Sequence, residues 1–578
     1  VLIFKLNTNK KMKKLLYIVA VSAALVATGC TDYLDTENIY GLNTEVFYKT
    51  PDDINAAISG VYNAIYVNNV HSEEQVAANL MDNMMLGGGG ADDTTAKNAD
   101  NFLDPVDDTY RDLWIQSYFG ITRANAIIEK TPVADFSSYF KTKEEADKFK
   151  SQAIGEALFM RAFFYFRMAK FFGGVPLIVK LDGDRTVPRA SYTETFAQIT
   201  SDLKMAIETL PSTPFPSIPT ASYGHANKWV AEAYMARVYL FYTGYMTNIE
   251  KQATTDLPLV GGGKLGATEV TGYLNDCITN SGHALASDFR NLWPYSYLNK
   301  SAGKVVLPWA DTNKLAWVGQ DGAKPTFGTG NLETMFVQRF SFGDWGWTRG
   351  NTYTNRLCLF NGIRDNSMVP FGQGWGWCTV NPKLWNNWSV TDPRREGSIL
   401  EMGKAEQGTA SYQSGKGDHE TGLFNKKYTA LQHDSPSGVK GMFVQMYGWG
   451  NADYQLMHAQ DFIYMRYADV LLMHSEITKT ATGMNAVRAR ATLPAIGYSL
   501  DAIKDERLHE FAFEGLHWFD LIRWGDVNTA FNETVQVKNY GKDFTYSVKY
   551  RPEIKGLVPI PEGEIRLSNG VYTQNPGW

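Results

Sequence analysis

The stretch "EEADKFKSQAIGEALFMRAFFYFRMAKFFGG", residues 144 to 174, sets the tightest limit on the fold. Apolar residues recur along it at helical spacing, and the Gly173-Gly174 pair supplies a stop. Its alanines, Ala157, Ala162 and Ala169, alternate with large aromatics. Small side chains between bulky ones suit a helix packed closely against partners.

Other segments repeat the theme. "TPDDINAAISGVYNAIY" opens with a Thr cap and a Pro at the first helical position. "YRDLWIQSYFGITRANAIIEK", "YTETFAQITSDLKMAIETLP" and "ANKWVAEAYMARVYLFYTGY" read as further helices, the last with small residues at Ala231, Ala233 and Ala236. The part from about 44 to 290 is therefore read as a helical array of tetratricopeptide-type pairs, although the full repeat signature is absent.

From about 290 to 460 the chain turns to Gly, Asn and short extended runs, and nine of its 15 tryptophans lie between Trp293 and Trp388. This part reads as a loop-rich, partly β lobe. From about 461 to 578 helices return in "DFIYMRYADVLLMHSEI" and "MNAVRARATLP", before an extended tail, "KGLVPIPEGEIRLSNGVYTQNPGW". With 578 residues and 44% apolar content the chain can bury a large core, and a formal charge of -6 gives no basic field for nucleic acid.

At the N-terminus, "KMKKLLYIVAVSAALVATGC" places lysines before an apolar run from Leu15 to Ala27. That is the pattern of a signal peptide, expected over residues 1–29, with Met12 as the start and residues 1–11 upstream of it. The run is short for a membrane span. Cys30, directly after Ala27-Thr28-Gly29, resembles the lipidated cysteine of a bacterial lipoprotein, with Ala27 departing from the usual leucine. A lipid there anchors an otherwise soluble body, residues 30–578, to a membrane. The remaining cysteines are Cys277, Cys358 and Cys378, and a Cys358–Cys378 bridge stays open on sequence grounds.

"IKDERLHEFAFEGLHWFDLIRWG", residues 503 to 525, reads as one continuous helix rich in acids, arginines and two histidines. Leu508, Phe511, Ala512, Gly515, Trp518, Phe519 and Ile522 give it a broad apolar face, so its charges flank a core. Glu506, Glu510 and Glu514 recur every fourth residue and repel one another unless cations answer them. Arg507, Arg523 and the nearby Arg466, Arg488 and Arg490 can do so through forked hydrogen bonds. His509 and His517 stand eight residues apart, which misses the H-E-x-x-H spacing of a helical zinc site. Carboxylate hydrolysis needs a cleft, which so apolar a face does not open. Arg466, Asp469, Arg507, Glu510, Glu514, Asp520 and Arg523 are therefore expected to form a structural charge network, with no catalytic residue, metal or cofactor.

The strings "KDERLHEFAFEGLHWFDLIRWG", "MRYADVLLMHSE", "NAVRARA" and "LVPIPEGEIRLSNGVYTQNPGW" resemble the C-terminal signature of the SusD-like (RagB/SusD) nutrient-binding outer-membrane lipoproteins. The N-terminal "CTDYLDTENIYGLNTEVFYKTPDDINAAISGVYNAIY", "EALFMRAFFYFRMAKFFGGVPLI" and "TDPRR", residues 391 to 395, agree in order, so the resemblance spans Cys30 to Trp578. It implies a mainly α fold, a tetratricopeptide-like scaffold carrying a loop-rich, partly β ligand-binding lobe. It also implies a lipid-anchored protein exposed at the outer-membrane surface, which captures oligosaccharides and delivers them, without chemistry, to a SusC-like TonB-dependent barrel. A surface glycoside hydrolase and a helical protein-docking scaffold are the alternatives.

Sugar rings expose apolar C–H faces, so a glycan platform needs flat aromatic rings ringed by polar side chains. "FGDWGWTRGNTYTNR" offers Trp345 and Trp347, and "FGQGWGWCTVNPKLWNNW" offers Trp375 and Trp377. In an extended segment, residues two apart face the same side, so each W-G-W is a candidate two-ring surface. Trp317, Trp293 and Tyr295 are further candidates, and burial in a small β-rich core is the competing reading for each ring. "NMMLGGGGADDTTAKNADNFLDPVDD" gathers Asp92, Asp93, Asn98, Asp100 and Asp104, but not at calcium-loop spacing, so a solvated loop able to line a groove is expected.

Overall fold

Helix starts are set by side chains that satisfy the first backbone N–H groups. Thr50 and Asp53 cap each other's backbone at the start of α1 (Pro51–Asn63). There follow α2 (Val70–Met81), α3 (Arg111–Lys130) and α4 (Lys143–Phe172), whose cap is Thr142. A Ser191–Glu194 box begins α5 (Tyr192–Thr209), and Asn227 caps α6 (Lys228–Asn248), which leads to α7 (Ala267–Asn280). The computed structural model describes residues 47–578 apart from 67–69, 92, 105–107, 185, 216, 298–307, 322–323, 326–330, 341–352, 367, 433–452, 457 and 532. The expected signal peptide, Cys30, Trp345 and Trp347 lie outside the described residues.

Successive helices pack on one another: α3 on α4, α4 on α5, α5 on α6 and α6 on α7. Ala157, Ala162 and Ala169 of α4, and Ala231, Ala233 and Ala236 of α6, are all buried at these contacts, as close pairing requires. Arg161 of α4 clamps Asp202 of α5 through two hydrogen bonds of 2.8 and 2.7 Å, and Arg167 of α4 pairs with Glu74 of α2 at 2.6 Å. The scaffold is mainly α and tetratricopeptide-like.

Strands are short and pair in twos. β1 (Met85–Gly87) runs antiparallel to β3 (Cys378–Val380), and β2 (Thr334–Gln338) to β4 (Phe462–Arg466). The hairpin of β5 (Glu533–Asn539) and β6 (Lys542–Val548) is joined to this layer through bridges at Gly89–Asp418 and Glu420–Lys538. Cys277, Cys358 and Cys378 are buried free thiols, so the Cys358–Cys378 bridge left open by the sequence is not formed.

The C-terminal helices are α8 (Tyr467–Thr478), α9 (Thr482–Arg490), α10 (Leu500–Glu510) and α11 (His517–Trp524). Residues 503–525 are thus two helices, not the single one their periodicity predicts. Phe513 and Gly515 take φ of 66° and 72°, and a Cβ on Gly515 would stand 1.6 Å from Gln75 Oε1. Ending α10 at Glu510 frees that residue's carbonyl, which accepts from Arg466 Nη2 at 2.7 Å and Lys427 Nζ at 3.1 Å. Cations answer an open helix C-terminus where a continuing helix would have used its own N–H.

Around this break lies a buried charge network. Glu506 receives Arg394 at 2.6 Å and Arg488 at 2.9 Å; Glu514 receives Lys427 at 2.7 Å and Arg466 at 2.9 Å. Glu510 is met by Arg394, Arg466 and Arg490, while Glu333, beside β2, binds Arg466 and Arg490, each at 2.8 Å. A second wing joins Arg507 to Asp469 and Asp520, and Arg523 to Asp520 and Glu476. Burial alone would raise the Glu510 carboxyl; Arg490, Arg466 and Arg394 outweigh it and hold the group well below the usual carboxylate range. Removing one partner of a buried pair typically costs about 3–5 kcal/mol because the other charge is stranded. Glu510→Ala takes one carboxylate from three buried guanidiniums, which keep Asp392, Glu506, Glu333 and Glu514, and is expected to cost about 3–5 kcal/mol in urea unfolding; a loss under about 1 kcal/mol would show that the network carries little of the fold.

Candidate functional site

The loop-rich lobe places Trp375 and Trp377 on the short helix Arg356–Asn361. Trp375 N donates to Leu359 O at 2.8 Å, Trp377 N to Phe360 O at 2.9 Å and Gly376 N to Gly362 O at 2.8 Å. Gly376 takes a φ of 64°, so the segment is a left-handed turn and not the extended run that the pattern suggests. The two rings still share one side, but they meet at 43° with centroids 5.6 Å apart. They form a corner, not a flat surface. Trp377 stacks on Phe360 at 4.2 Å and 5°, and the Arg356 guanidinium lies 4.7 Å over Trp375. Both tryptophans are half-buried, each keeping part of its ring open.

Polar groups edge this corner. Trp375 hydrogen-bonds the half-buried Tyr454 hydroxyl. Arg364 Nη1 reaches the Trp375 carbonyl at 3.2 Å and Asp93 at 3.1 Å, while its Nε donates to the Lys416 carbonyl at 3.2 Å. Exposed Asp365 and half-buried Gln373 complete the rim. Such a set offers ring faces to sugar C–H groups, with donors and acceptors for hydroxyls at their edge.

The glycine-rich run that was expected to be a solvated loop is instead buried from Gly87 to Gly90. Gly88 N donates to the Trp377 carbonyl at 2.7 Å, and Lys97 pairs with Asp418 at 2.7 Å. Without side chains these residues fit directly between Trp377 and the 417–420 segment, so the tertiary contact overrides the polar composition. Asp100 ends the helix Thr94–Asp100 fully buried, accepting from Gly87 N at 2.8 Å and the Tyr546 hydroxyl at 2.5 Å. Two regions that the sequence marked separately, the W-G-W at 375–377 and the 87–104 segment, therefore form one surface.

Trp293 and Tyr295 are core residues and cannot stack on a ligand. Both are 0% exposed; Trp293 packs edge-on to Tyr428, and the Tyr295 hydroxyl donates to the Gly397 carbonyl at 2.6 Å. Trp317 is half-buried, edge-on to Tyr297. Sequence reasoning missed Arg356, Phe360, Arg364 and Tyr454. The four-residue spacing of Arg356 and Phe360 on a short helix was the one local signal; the Arg364–Asp93 contact joins residues far apart in the chain and left none.

Two family models match the chain: one described as "Starch-binding associating with outer membrane" over residues 32–240, and the SusD family over residues 378–578. The chain belongs to the SusD-like family. SusD-like protein P2 of Formosa agariphila is 24% identical over 598 residues, covering 98% of this chain and 100% of that protein. Surface glycan-binding protein A from Bacteroides fluxus has the same fold, with a TM-score of 0.67 at 21% identity over 91% of this chain and 99% of that one. The Bacteroides thetaiotaomicron protein of that name, solved in complex with laminarihexaose, gives 0.67 at 18% identity, again over 91% and 99%. This SusD-like chain thus carries its aromatic corner on a helical scaffold shared with those proteins.

Burial lifts the Asp100 carboxyl to about 7, outweighing its hydrogen bonds from Tyr546 and Gly87. An unfolded aspartate sits near 3.9, so the fold prefers the protonated acid; that preference is complete below about pH 4 and is withdrawn as pH climbs to 7. Asp100→Asn keeps the acceptor and removes the ionisation. Its unfolding free energy relative to the parent is expected to rise by a few kcal/mol between about pH 4 and 7 and then level, in urea titrations across that range. A difference independent of pH would place Asp100 in contact with solvent.

Proposed function

We propose that this SusD-like protein is a cell-surface glycan-binding lipoprotein that captures oligosaccharides at the Trp375–Trp377 corner and passes them intact to a SusC-like TonB-dependent barrel. The observation that carries this reading is the corner itself: two half-open indole rings on a rigid support, rimmed by Arg364, Gln373, Asp365 and Tyr454, in a family whose solved members include a laminarihexaose complex. The clustered carboxylates of the 503–525 stretch are consumed by buried ion pairs, which favours capture over hydrolysis. Trp345 and Trp347 add a second candidate ring pair from the same lobe, and Cys30 the lipid attachment to the outer membrane.

A protein that must release its cargo binds weakly, in roughly the millimolar to micromolar range, or about −4 to −8 kcal/mol. Titration with laminarihexaose and other soluble oligosaccharides is expected to show such binding with no change in their length on prolonged incubation. Shortened products would identify a hydrolase, and neither binding nor turnover a docking scaffold. Trp375→Ala is expected to weaken binding by about 1–3 kcal/mol, the scale of one aromatic stacking contact, while the melting temperature stays close to that of the parent. A large fall in melting temperature with unchanged affinity would make the corner a packing device.

Attachment is tested separately. Cys30→Ala is expected to abolish metabolic labelling with a fatty-acid analogue and to shift the protein out of the membrane fraction, with the helical circular dichroism signal unchanged. Full labelling of that variant would exclude Cys30 as the lipid site.

A further inference from the structure

Trp377 belongs to two surfaces. One face of its indole stacks on Phe360 in the corner; the ring also walls a cavity of about 240 Å³ between α2, the Thr94–Asp100 helix and the start of α3. Leu113, Tyr110 and Ala99 form a buried apolar floor. Exposed Thr95 and half-buried Asp108 lie at the mouth, and Glu74, 5% exposed and ion-paired to Arg167, closes the inner end.

We propose that this cavity is a side pocket for a single neutral sugar unit, a branch or terminal residue of a glycan whose main chain crosses the Trp375–Trp377 corner. The proposal rests on the glycan-binding reading above. Size sets the number of units: pockets enclosing drug-sized ligands run to roughly 300–1,000 Å³, so this smaller one holds one pyranose ring and not a disaccharide. Lining sets the class. Apolar walls with a few convergent polar groups match the C–H face and hydroxyls of a sugar, with Asp108 accepting from a hydroxyl and the Thr95 hydroxyl at the mouth able to donate or accept. Charge sets neutrality. Glu74 and Asp108 both face the space, while the nearby cations are engaged: Arg167 by Glu74, and Arg111 by Glu564 at 3.1 Å and Asp108 at 3.8 Å. Among the described residues no Lys or Arg lines the space, so a uronate carboxylate would find no cation to receive it here.

The test compares linear with singly branched neutral oligosaccharides of equal backbone length: laminarihexaose against its 6-O-glucosyl derivatives, and mannohexaose against its 6-O-galactosyl derivatives. Isothermal titration of the intact lipid-free chain gives the ratio of branched to linear affinity. The parent is expected to favour at least one branched ligand by about tenfold, and Thr95→Phe, which plugs the mouth from an exposed position, to bring that ratio close to one. Thr95→Ser is expected to keep it, and all three proteins to melt together. A parent that binds linear and branched ligands equally, or a ratio unmoved by Thr95→Phe, overturns the pocket and leaves glycan capture standing. A parent that binds no member of the panel overturns both.

Discussion

The Glu510 carboxylate, buried and surrounded by Arg394, Arg466 and Arg490, is the contact on which the rest of the fold depends. Those guanidiniums come from the loop-rich lobe, the end of β4 and the end of α9. One side chain therefore ties three chain segments together. Among the described residues, five cations (Arg394, Arg466, Arg488, Arg490 and Lys427) face five carboxylates (Glu333, Asp392, Glu506, Glu510 and Glu514). A balanced set of this kind tolerates burial because each charge finds an opposite charge and a directed hydrogen bond. Loss of any member leaves its neighbours short of a partner in an apolar medium.

That constraint reaches the aromatic corner through the chain break it imposes. Because α10 ends at Glu510, the following residues turn, and Gly515 packs against Gln75 of α2. Helix α2 in turn supplies Glu74, Val76 and Ala77 to the pocket beside Trp377. The corner is thus linked to the charge network through α2, and Arg364 fastens its outer edge by joining Asp93, the Trp375 carbonyl and the Lys416 carbonyl. A surface held by buried scaffold in this way is preorganised, which under the proposed role keeps the ordering cost of a weak ligand low.

Much of the scaffold was legible in the amino-acid pattern because its signals are local. Thr50 before Pro51, the small residues of α4 and α6, and the Gly173 stop each act within a few residues, and the helices follow them. The continuous helix read over 503–525 failed for the opposite reason: the break answers cations supplied from residues 427 and 466. Trp293 and Tyr295 carried the same composition as Trp375 and Trp377, yet they fill the core, because an aromatic ring's usefulness to a ligand depends on what covers it.

The sequence by itself determined the helical scaffold, its family, the structural and not catalytic character of the 503–525 charges and the lobe in which exposed rings would be found. Tertiary structure alone decided which rings stay open, that Gly376 turns two of them into a corner, and that the 87–90 glycines are a buried spacer between Trp377 and the 417–420 segment. The division follows range. Caps, periodicity and small-residue spacing are written within one or two helical turns, whereas exposure, ion pairing and pocket shape are set by residues that meet only after the chain has folded.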